Sequence, residues 1–199
     1  LQAAGLKLGA RPEELNITDP ALIEGIHGQY AAAGSRIVNA NTFGASAHKL
    51  AGSAHTLEQV ITAGIENCKR ACAPYGALTA LDVGPLGELL EPSGTLAFED
   101  AVAEYARIVK AGEAAGADLI FFETYTDLYE LKAALLAAKE NTHLPILASM
   151  SFEAGGRTFT GCTVESYGIT AAGLGADAVG INCSLGPKEI LPFAQRLCR

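Results

Sequence analysis

The stretch that decides the fold is residues 115–123, AGADLIFFE. A glycine that follows a helical pattern is placed to take the left-handed conformation that ends a helix. The run 119–122 is apolar throughout, which is typical of a strand that is covered on both faces. The same order of a small-residue turn and an apolar run recurs at Gly34 and Gly175. The chain therefore predicts a repeated helix–turn–strand unit.

Five apolar runs of this kind are spread along the chain, and they predict five parallel strands. The expected strands are Arg36–Asn41, Ala77–Asp82, Asp118–Glu123, Pro145–Met150 and Ala178–Asn182. Helices fill the intervals, and two of them have clear start signals. Asp19 is placed to cap a helix that begins at Pro20. Asp127 and Glu130 have the spacing of a capping box. Strands that alternate with helices indicate an α/β fold with a parallel sheet.

The spacing of the units leaves two architectures open. The expected strands start about 36 residues apart, which lies within the range of (β/α)8 barrel units, and eight such units need roughly 250 residues. Residues 1–199 hold five units, and no linker or low-complexity tract divides them, so we interpret the chain as one domain. The pattern fits either an open doubly wound sheet or a barrel that is truncated at both ends.

Composition excludes several classes of protein. Of the 199 residues, 49% are hydrophobic and 18% are charged, which suits a folded domain with a sizeable core. The net charge of −8 comes without a basic run, so neither nucleic acid nor an anionic membrane is an expected partner. No apolar stretch approaches the roughly 20 residues that span a bilayer, and no signal peptide is recognisable. We expect a cytoplasmic protein with five reduced cysteines, whose natural N-terminus lies upstream because an initiator Met is missing.

Polar residues stand where the expected strands end, and parallel α/β folds bind their ligands at that edge. These residues are Asn41, Thr42, Asp82, Glu123, Ser149, Asn182 and Cys183. Each of them alone is equally consistent with a helix cap or a tight turn. Their arrival from five strands favours one shared pocket. The sequence contains no Walker loop, no dinucleotide-binding glycine fingerprint and no Gly-x-Ser-x-Gly elbow, which excludes several common α/β enzymes.

Glu123 and Cys183 carry the most specific chemistry. Glu123 follows an apolar run, so its carboxylate is partly desolvated and the ammonium group of a ligand would pair with it. The alternative is a carboxylate that caps the next helix. A thiol in the position of Cys183 fits a nucleophile, a metal ligand or a buried apolar group. Cys68 and Cys72 share one face of an expected helix without further ligands nearby, which indicates packing.

Six short motifs, which follow one another along the chain, carry a resemblance to a known family. They are Asn41-Thr42-Phe43-Gly44, Asp82-Val83-Gly84-Pro85, Glu91-Pro92-x-Gly94-Thr95-Leu96, Glu123-Thr124-x-x-Asp127, Thr158-Phe159-Thr160-Gly161 and Gly180-Ile181-Asn182-Cys183-Ser184-Leu185-Gly186-Pro187. As a set they resemble the homocysteine S-methyltransferase domain. The last motif is closer to cobalamin-dependent methionine synthase than to betaine–homocysteine methyltransferase. The resemblance implies a parallel (β/α)8 TIM barrel, of which about five βα units are present, with one strand missing in front and two behind.

The resemblance also implies roles for individual residues. Cys183 resembles the first of three zinc-binding cysteines, and the adjacent pair that completes the set would lie beyond the end of the chain. Glu123 resembles the residue of the catalytic site that meets the amino group of homocysteine. Four further residues resemble those that line the substrate pocket in the family: Asn41, Thr42, Asp82 and Asn182.

The activity implied by the resemblance is transfer of a methyl group to homocysteine, which gives methionine. Coordination to zinc deprotonates a thiol, methylcobalamin on a separate domain supplies the methyl group, and a folate-binding domain is a further implied partner. Two alternatives stay open: a cobalamin-independent enzyme that uses betaine or S-methylmethionine, and a non-catalytic barrel fragment. Because both sheet edges would be open, the chain alone is expected to be inactive and marginally stable or self-associating.

Overall fold

A computed structural model describes residues 1–198. Five strands form one sheet in the order β1-β2-β3-β4-β5, and all neighbouring strands are parallel. The strands are β1 (Ile37–Asn39), β2 (Leu78–Val83), β3 (Leu119–Tyr125), β4 (Ile146–Met150) and β5 (Ala178–Ile181). All five expected strands are confirmed, with no boundary displaced by more than two residues.

Within the described residues, two α-helices precede β1, one connects each pair of consecutive strands, and one follows β5. They are α1 (Leu15–Thr18), α2 (Pro20–Ala32), α3 (Leu57–Cys72), α4 (Phe98–Ala114), α5 (Leu128–Asn141), α6 (Val164–Gly173) and α7 (Pro187–Leu197). Within residues 1–198, none of these helices has both the length and the apolar character that crossing a membrane requires.

The glycines that were expected to end helices do so. Gly34, Gly116 and Gly175 have φ values of 102°, 89° and 85°, in the left-handed region where glycine carries no side-chain penalty. At the other end, the carboxylate of Asp19 accepts a hydrogen bond from the backbone N–H of Leu22 at 3.3 Å, which caps α2. Local turn and cap chemistry thus sets where each helix begins or ends.

The strand order decides between the two architectures that the sequence leaves open. A doubly wound sheet reverses its strand order at a switch point and carries helices on both faces. Here the order follows the chain without a reversal. Because parallel crossovers are right-handed, consecutive crossovers in one direction place every connecting helix on the same face. This is the arrangement of a (β/α)8 barrel wall, with β1 and β5 as its two open edges.

The core lies between the sheet and these helices. Its centre is an aromatic cluster in which the rings of Tyr105, Phe122 and Tyr125 lie 6.1–6.2 Å apart, all without solvent exposure. Burial falls away toward one edge of the sheet. All residues of β2 except its first are buried, whereas none of the described residues of β5 or α7 is.

Candidate functional site

Two carboxyl groups face each other near the carboxyl ends of β2 and β3. Asp82 is only 6% exposed, and burial raises its pKa well above the usual range. The negative charge of Glu123, and the hydrogen bond between the two carboxyls, raise the pKa of Asp82 further. Burial also raises the pKa of Glu123, while the hydrogen bond from Asp82 opposes that rise. Burial therefore disfavours the ionised form of both carboxyls, and the effect is stronger for Asp82, which is the more buried of the two.

One oxygen of this pair has no partner. Among the described residues, the only buried side-chain polar atoms without a hydrogen bond are Oδ1 of Asp82 and Nε2 of His27. Both residues border a cavity of about 400 Å³ between α2 and β1. A buried acceptor without a donor is costly. A ligand that brings a cationic N–H group to Asp82 would remove that cost.

Asn182 links the carboxyl pair to the cysteine at the end of β5. Its Oδ1 accepts a hydrogen bond from the hydroxyl of Ser149 at 2.9 Å, which fixes the amide orientation. Its Nδ2 then lies 2.7 Å from Oγ1 of Thr124, 3.3 Å from Oε2 of Glu123 and 3.5 Å from Sγ of Cys183. One amide thus contacts residues of β3 and β4 and the residue that follows it after β5, and it places the thiol next to the carboxyl pair.

Backbone strain is concentrated in the same place. Thr124, Cys183 and Ser184 are the non-glycine residues of the described chain that have positive φ, with values of 64°, 58° and 52°. Such conformations cost on the order of 1–3 kcal/mol each, and they cluster at functional sites. The sequence predicted that the third strand ends at Glu123, but β3 continues to Tyr125 through a register shift after Phe122. The shift is a β-bulge, a feature that commonly re-aims side chains beside active sites.

Cys183 lies directly after β5 at this rim, and it is exposed. Its Sγ lies 3.6 Å from Oγ1 of Thr124. Within residues 1–198, no group of three or more His, Cys, Asp or Glu side chains is arranged to hold a metal ion. Since even catalytic zinc sites take three ligands from protein, the described residues do not make a complete zinc site. Cys68 and Cys72 are buried in α3 with their sulfurs 3.8 Å apart, as expected of packing residues.

Asn41 and Thr42 lie beside the pocket, but their side chains bond within the protein. Oγ1 of Thr42 donates to the backbone carbonyl of Asp82 at 2.8 Å and accepts from its N–H at 3.1 Å. The amide of Asn41 donates to Pro12 O at 2.8 Å and to Asn16 Oδ1 at 2.9 Å. Thr42 therefore fixes the backbone of Asp82, and Asn41 ties the loop after β1 to the N-terminal segment.

The sequence pattern of the homocysteine S-methyltransferases matches residues 1–199, the whole chain. The chain belongs to the homocysteine S-methyltransferase family. A methionine synthase from Mycobacterium tuberculosis is 29% identical over 201 aligned residues, and one from Mycobacterium leprae is 29% identical over 203. These alignments cover 94% of the chain but only 17% and 16% of the two relatives, so the chain spans about a sixth of their length.

The fold of this homocysteine S-methyltransferase domain also matches solved structures. The metallated form of the homocysteine methyltransferase MmuM from Escherichia coli aligns with a TM-score of 0.86 at 21% identity. The alignment covers 98% of the domain and 75% of that protein. The apo form of the same protein aligns with a TM-score of 0.77. Together with the strand order, this likeness confirms the expectation of a parallel (β/α)8 barrel of which five units are present.

In this homocysteine S-methyltransferase domain, the environment of Glu130 differs from the one predicted from the sequence. The expected capping box is wrong: Asp127 caps α5 through the N–H of Tyr129, but Glu130 does not reach back to it. The side chain of Glu130 points into the core, where its Oε1 accepts hydrogen bonds from the N–H of Leu86 at 2.7 Å and the hydroxyl of Tyr105 at 2.9 Å. The signal was present, since Glu130 lies on the helix face of buried alanines at positions 134 and 137.

Proposed function

We propose that this domain binds homocysteine and presents its thiol for methyl transfer, which yields methionine, within an enzyme of the cobalamin-dependent methionine synthase type. The observation that supports this proposal most is the carboxyl pair of Asp82 and Glu123, with one buried oxygen unpartnered. An α-amino acid carries an ammonium group, which supplies the charge and the N–H donors that this pair lacks.

Recognition of the amino group follows from that chemistry. An ammonium group placed between Asp82 and Glu123 would favour the ionised form of both carboxyls, which burial otherwise disfavours. Charge-assisted hydrogen bonds of this kind are worth about 1.5–3 kcal/mol each. Asn182 holds Glu123 from the other side, so the carboxylate is oriented before the substrate arrives. Thr42 does the same for the backbone of Asp82.

We propose Cys183 as one protein ligand of a zinc ion, with the remaining thiolates supplied from outside the described residues. A bound zinc ion deprotonates a coordinated thiol, whose free pKa is about 8.5, and keeps one position open for it. Asn182 positions Cys183 next to Glu123, so a substrate whose amino group meets the carboxyl pair has its thiol on the side of Cys183.

The proposed methyl donor is methylcobalamin, carried by a separate domain that a folate-binding domain recharges. This proposal is supported by the relatives named methionine synthase, of which the chain corresponds to about a sixth. Betaine and S-methylmethionine are the donors of the competing hypothesis. In either case the proposed acceptor site is the same.

The decisive experiment supplies the intact protein with homocysteine and each donor in turn, and measures methionine. We expect turnover with methylcobalamin, and loss of it in Cys183→Ser. Glu153→Gln is a matched control for changes at this rim, because Glu153 is an exposed carboxylate in the loop after β4. Turnover with betaine or S-methylmethionine alone would assign the cobalamin-independent reaction. No turnover with any donor would favour a non-catalytic domain.

Metal content tests the zinc proposal separately. Because Cys183 alone is too few ligands, we expect the 199-residue chain to hold no stoichiometric zinc and to be inactive, while the intact protein holds zinc. Elemental analysis after dialysis against a weak chelator measures both. Tight equimolar zinc in the 199-residue chain would show that the ligand assignment is wrong.

A further inference from the structure

The first turn of α5 contains a buried carboxylate that the proposed function does not use. Glu130 is only 4% exposed, and its Oε1 accepts both the N–H of Leu86 and the hydroxyl of Tyr105. Burial raises its pKa, while those two hydrogen bonds and the charge of Lys49 act in the opposite direction. A carboxylate in a protein interior is costly unless its partners compensate for lost hydration. The hydrogen-bond partners of Glu130 therefore indicate its structural role.

Glu130 holds one end of the segment Gly84–Leu86, which directly follows β2. Every backbone carbonyl of this segment also accepts a hydrogen bond from a side chain. The donors are Tyr125 to Gly84 O (3.3 Å), Lys49 to Pro85 O (2.6 Å) and Ser46 to Leu86 O (3.0 Å). These side chains come from β3 and from the loop after β1, while Glu130 comes from α5. Three separate elements thus fix three consecutive residues.

The fixed segment begins two residues after Asp82, the carboxyl proposed to meet the substrate. Thr42 fixes the backbone of Asp82 from the other side. Gly84 packs tightly against Phe43, in the loop that carries Thr42. A Cβ on Gly84 would come within 2.6 Å of the Phe43 ring and 2.8 Å of its carbonyl oxygen. A displacement of Gly84–Leu86 must therefore move Asp82 as well.

We propose that Glu130 is a positioning residue for homocysteine recognition, and that Lys49 assists it. Glu130 holds the N–H of Leu86 while Lys49 holds the carbonyl of Pro85, and together they keep the carboxyl of Asp82 where it meets the amino group. This inference rests on the proposed function, since it requires that Asp82 contacts the substrate.

The charges around this pair explain why two ionised groups are tolerated there. Glu13 and Glu130 both favour the charged form of Lys49, whose pKa burial otherwise lowers. Glu13 in turn accepts the N–H of Gly44 at 2.7 Å, in the loop that also carries Thr42. The buried charges therefore connect the loop after β1 to the loop after β2, the two loops that support Asp82.

The test compares Glu130→Ala and Glu130→Gln in the intact enzyme, with Glu113→Ala as matched control. Glu113 accepts the N–H of His143 at 3.2 Å and the hydroxyl of Thr142 at 3.1 Å, but these partners lie just before β4, at the amino end of the strands and away from the site. Glu130→Ala should raise the KM for homocysteine roughly tenfold, as expected when a charge-assisted contact is misplaced, with kcat little changed. Glu130→Gln, which retains an acceptor oxygen, should restore most of the affinity. Glu113→Ala should lower the stability of the enzyme but leave the KM for homocysteine unchanged.

Lys49→Met is a second variant if Glu130→Ala does not fold, because Lys49 is partly exposed and holds the same segment. It should also raise the KM for homocysteine several-fold, with unchanged zinc content. A wild-type enzyme without homocysteine turnover would refute the proposed function. An active wild type, together with wild-type KM in Lys49→Met and in any folded Glu130→Ala, would overturn this inference alone. Equal KM increases in Glu130→Gln and Glu130→Ala would also contradict it, because the acceptor geometry survives in Gln.

Discussion

The middle of the sheet and its last unit are built differently, although both contribute to the site. All residues of β2 but the first are buried, half of the residues of α5 are buried, and the fully buried aromatic cluster of Tyr105, Phe122 and Tyr125 lies in the same core. In β5 and α7 no described residue is buried, and Leu191 is 57% exposed. Asp82 and Glu123 come from the packed region, whereas Asn182 and Cys183 come from the exposed unit.

This difference divides the proposed function in physical terms. The proposed amino-group recognition rests on a packed scaffold, where side chains are held in place before a ligand binds. The proposed metal ligand follows β5, at the open edge of the sheet, where no described residue of β5 or α7 is buried. Asn182 is the link between the two, because it contacts Glu123 on one side and Cys183 on the other.

The largest expected effect contrasts one leucine from each region. Leu135 of α5 has no solvent exposure, so Leu135→Ala should lower the free energy of unfolding by about 2–5 kcal/mol. Leu191 of α7 is mostly exposed, so Leu191→Ala should change it by less than about 0.5 kcal/mol. Urea unfolding of the two variants measures both values. Equal losses would show that α7 is packed as firmly as α5, which would remove the contrast.

An intermediate effect separates the two halves of the site. Glu123→Gln should weaken homocysteine binding by about 1.5–3 kcal/mol, because a charge-assisted contact is lost, and should leave the zinc content unchanged. Cys183→Ser should have the opposite pattern: the zinc content should fall, while recognition of the amino group should remain. Calorimetry and elemental analysis of the intact protein measure the two properties. Unaltered homocysteine affinity in Glu123→Gln would reduce Glu123 to a structural carboxylate.

A smaller effect concerns pH. Burial and the charge of Glu123 raise the pKa of Asp82, with Glu13 adding to the rise and Asn39 opposing it. The stability that Asp82 contributes is therefore fully present below its unfolded pKa, about 3.9, and is lost as pH rises through the higher folded pKa. The stability of wild type relative to Asp82→Asn should decline over that range, as measured by urea unfolding at several pH values. A difference that grows with pH would contradict the raised pKa of Asp82.

Much of the fold could be predicted from sequence because its signals are local. Apolar runs and helix-ending glycines located all five strands, and the family motifs indicated Glu123 and Cys183. The β-bulge after Phe122 and the inward turn of Glu130 could not be predicted in this way. Glu130 is explained by donors 44 and 25 residues away along the chain, Leu86 and Tyr105, which periodicity within one helix does not reveal.

The central claim is that the carboxyl pair of Asp82 and Glu123 holds the amino group of homocysteine. The most direct measurement compares the affinities of homocysteine and 4-sulfanylbutanoate, which has the thiol and carboxylate but no amino group, for the intact wild type and Glu123→Gln. We predict that wild type prefers homocysteine by roughly 10- to 100-fold, the equivalent of one charge-assisted hydrogen bond, and that the preference largely disappears in Glu123→Gln. An undiminished preference in Glu123→Gln would contradict the account, because the amino group would then be held elsewhere.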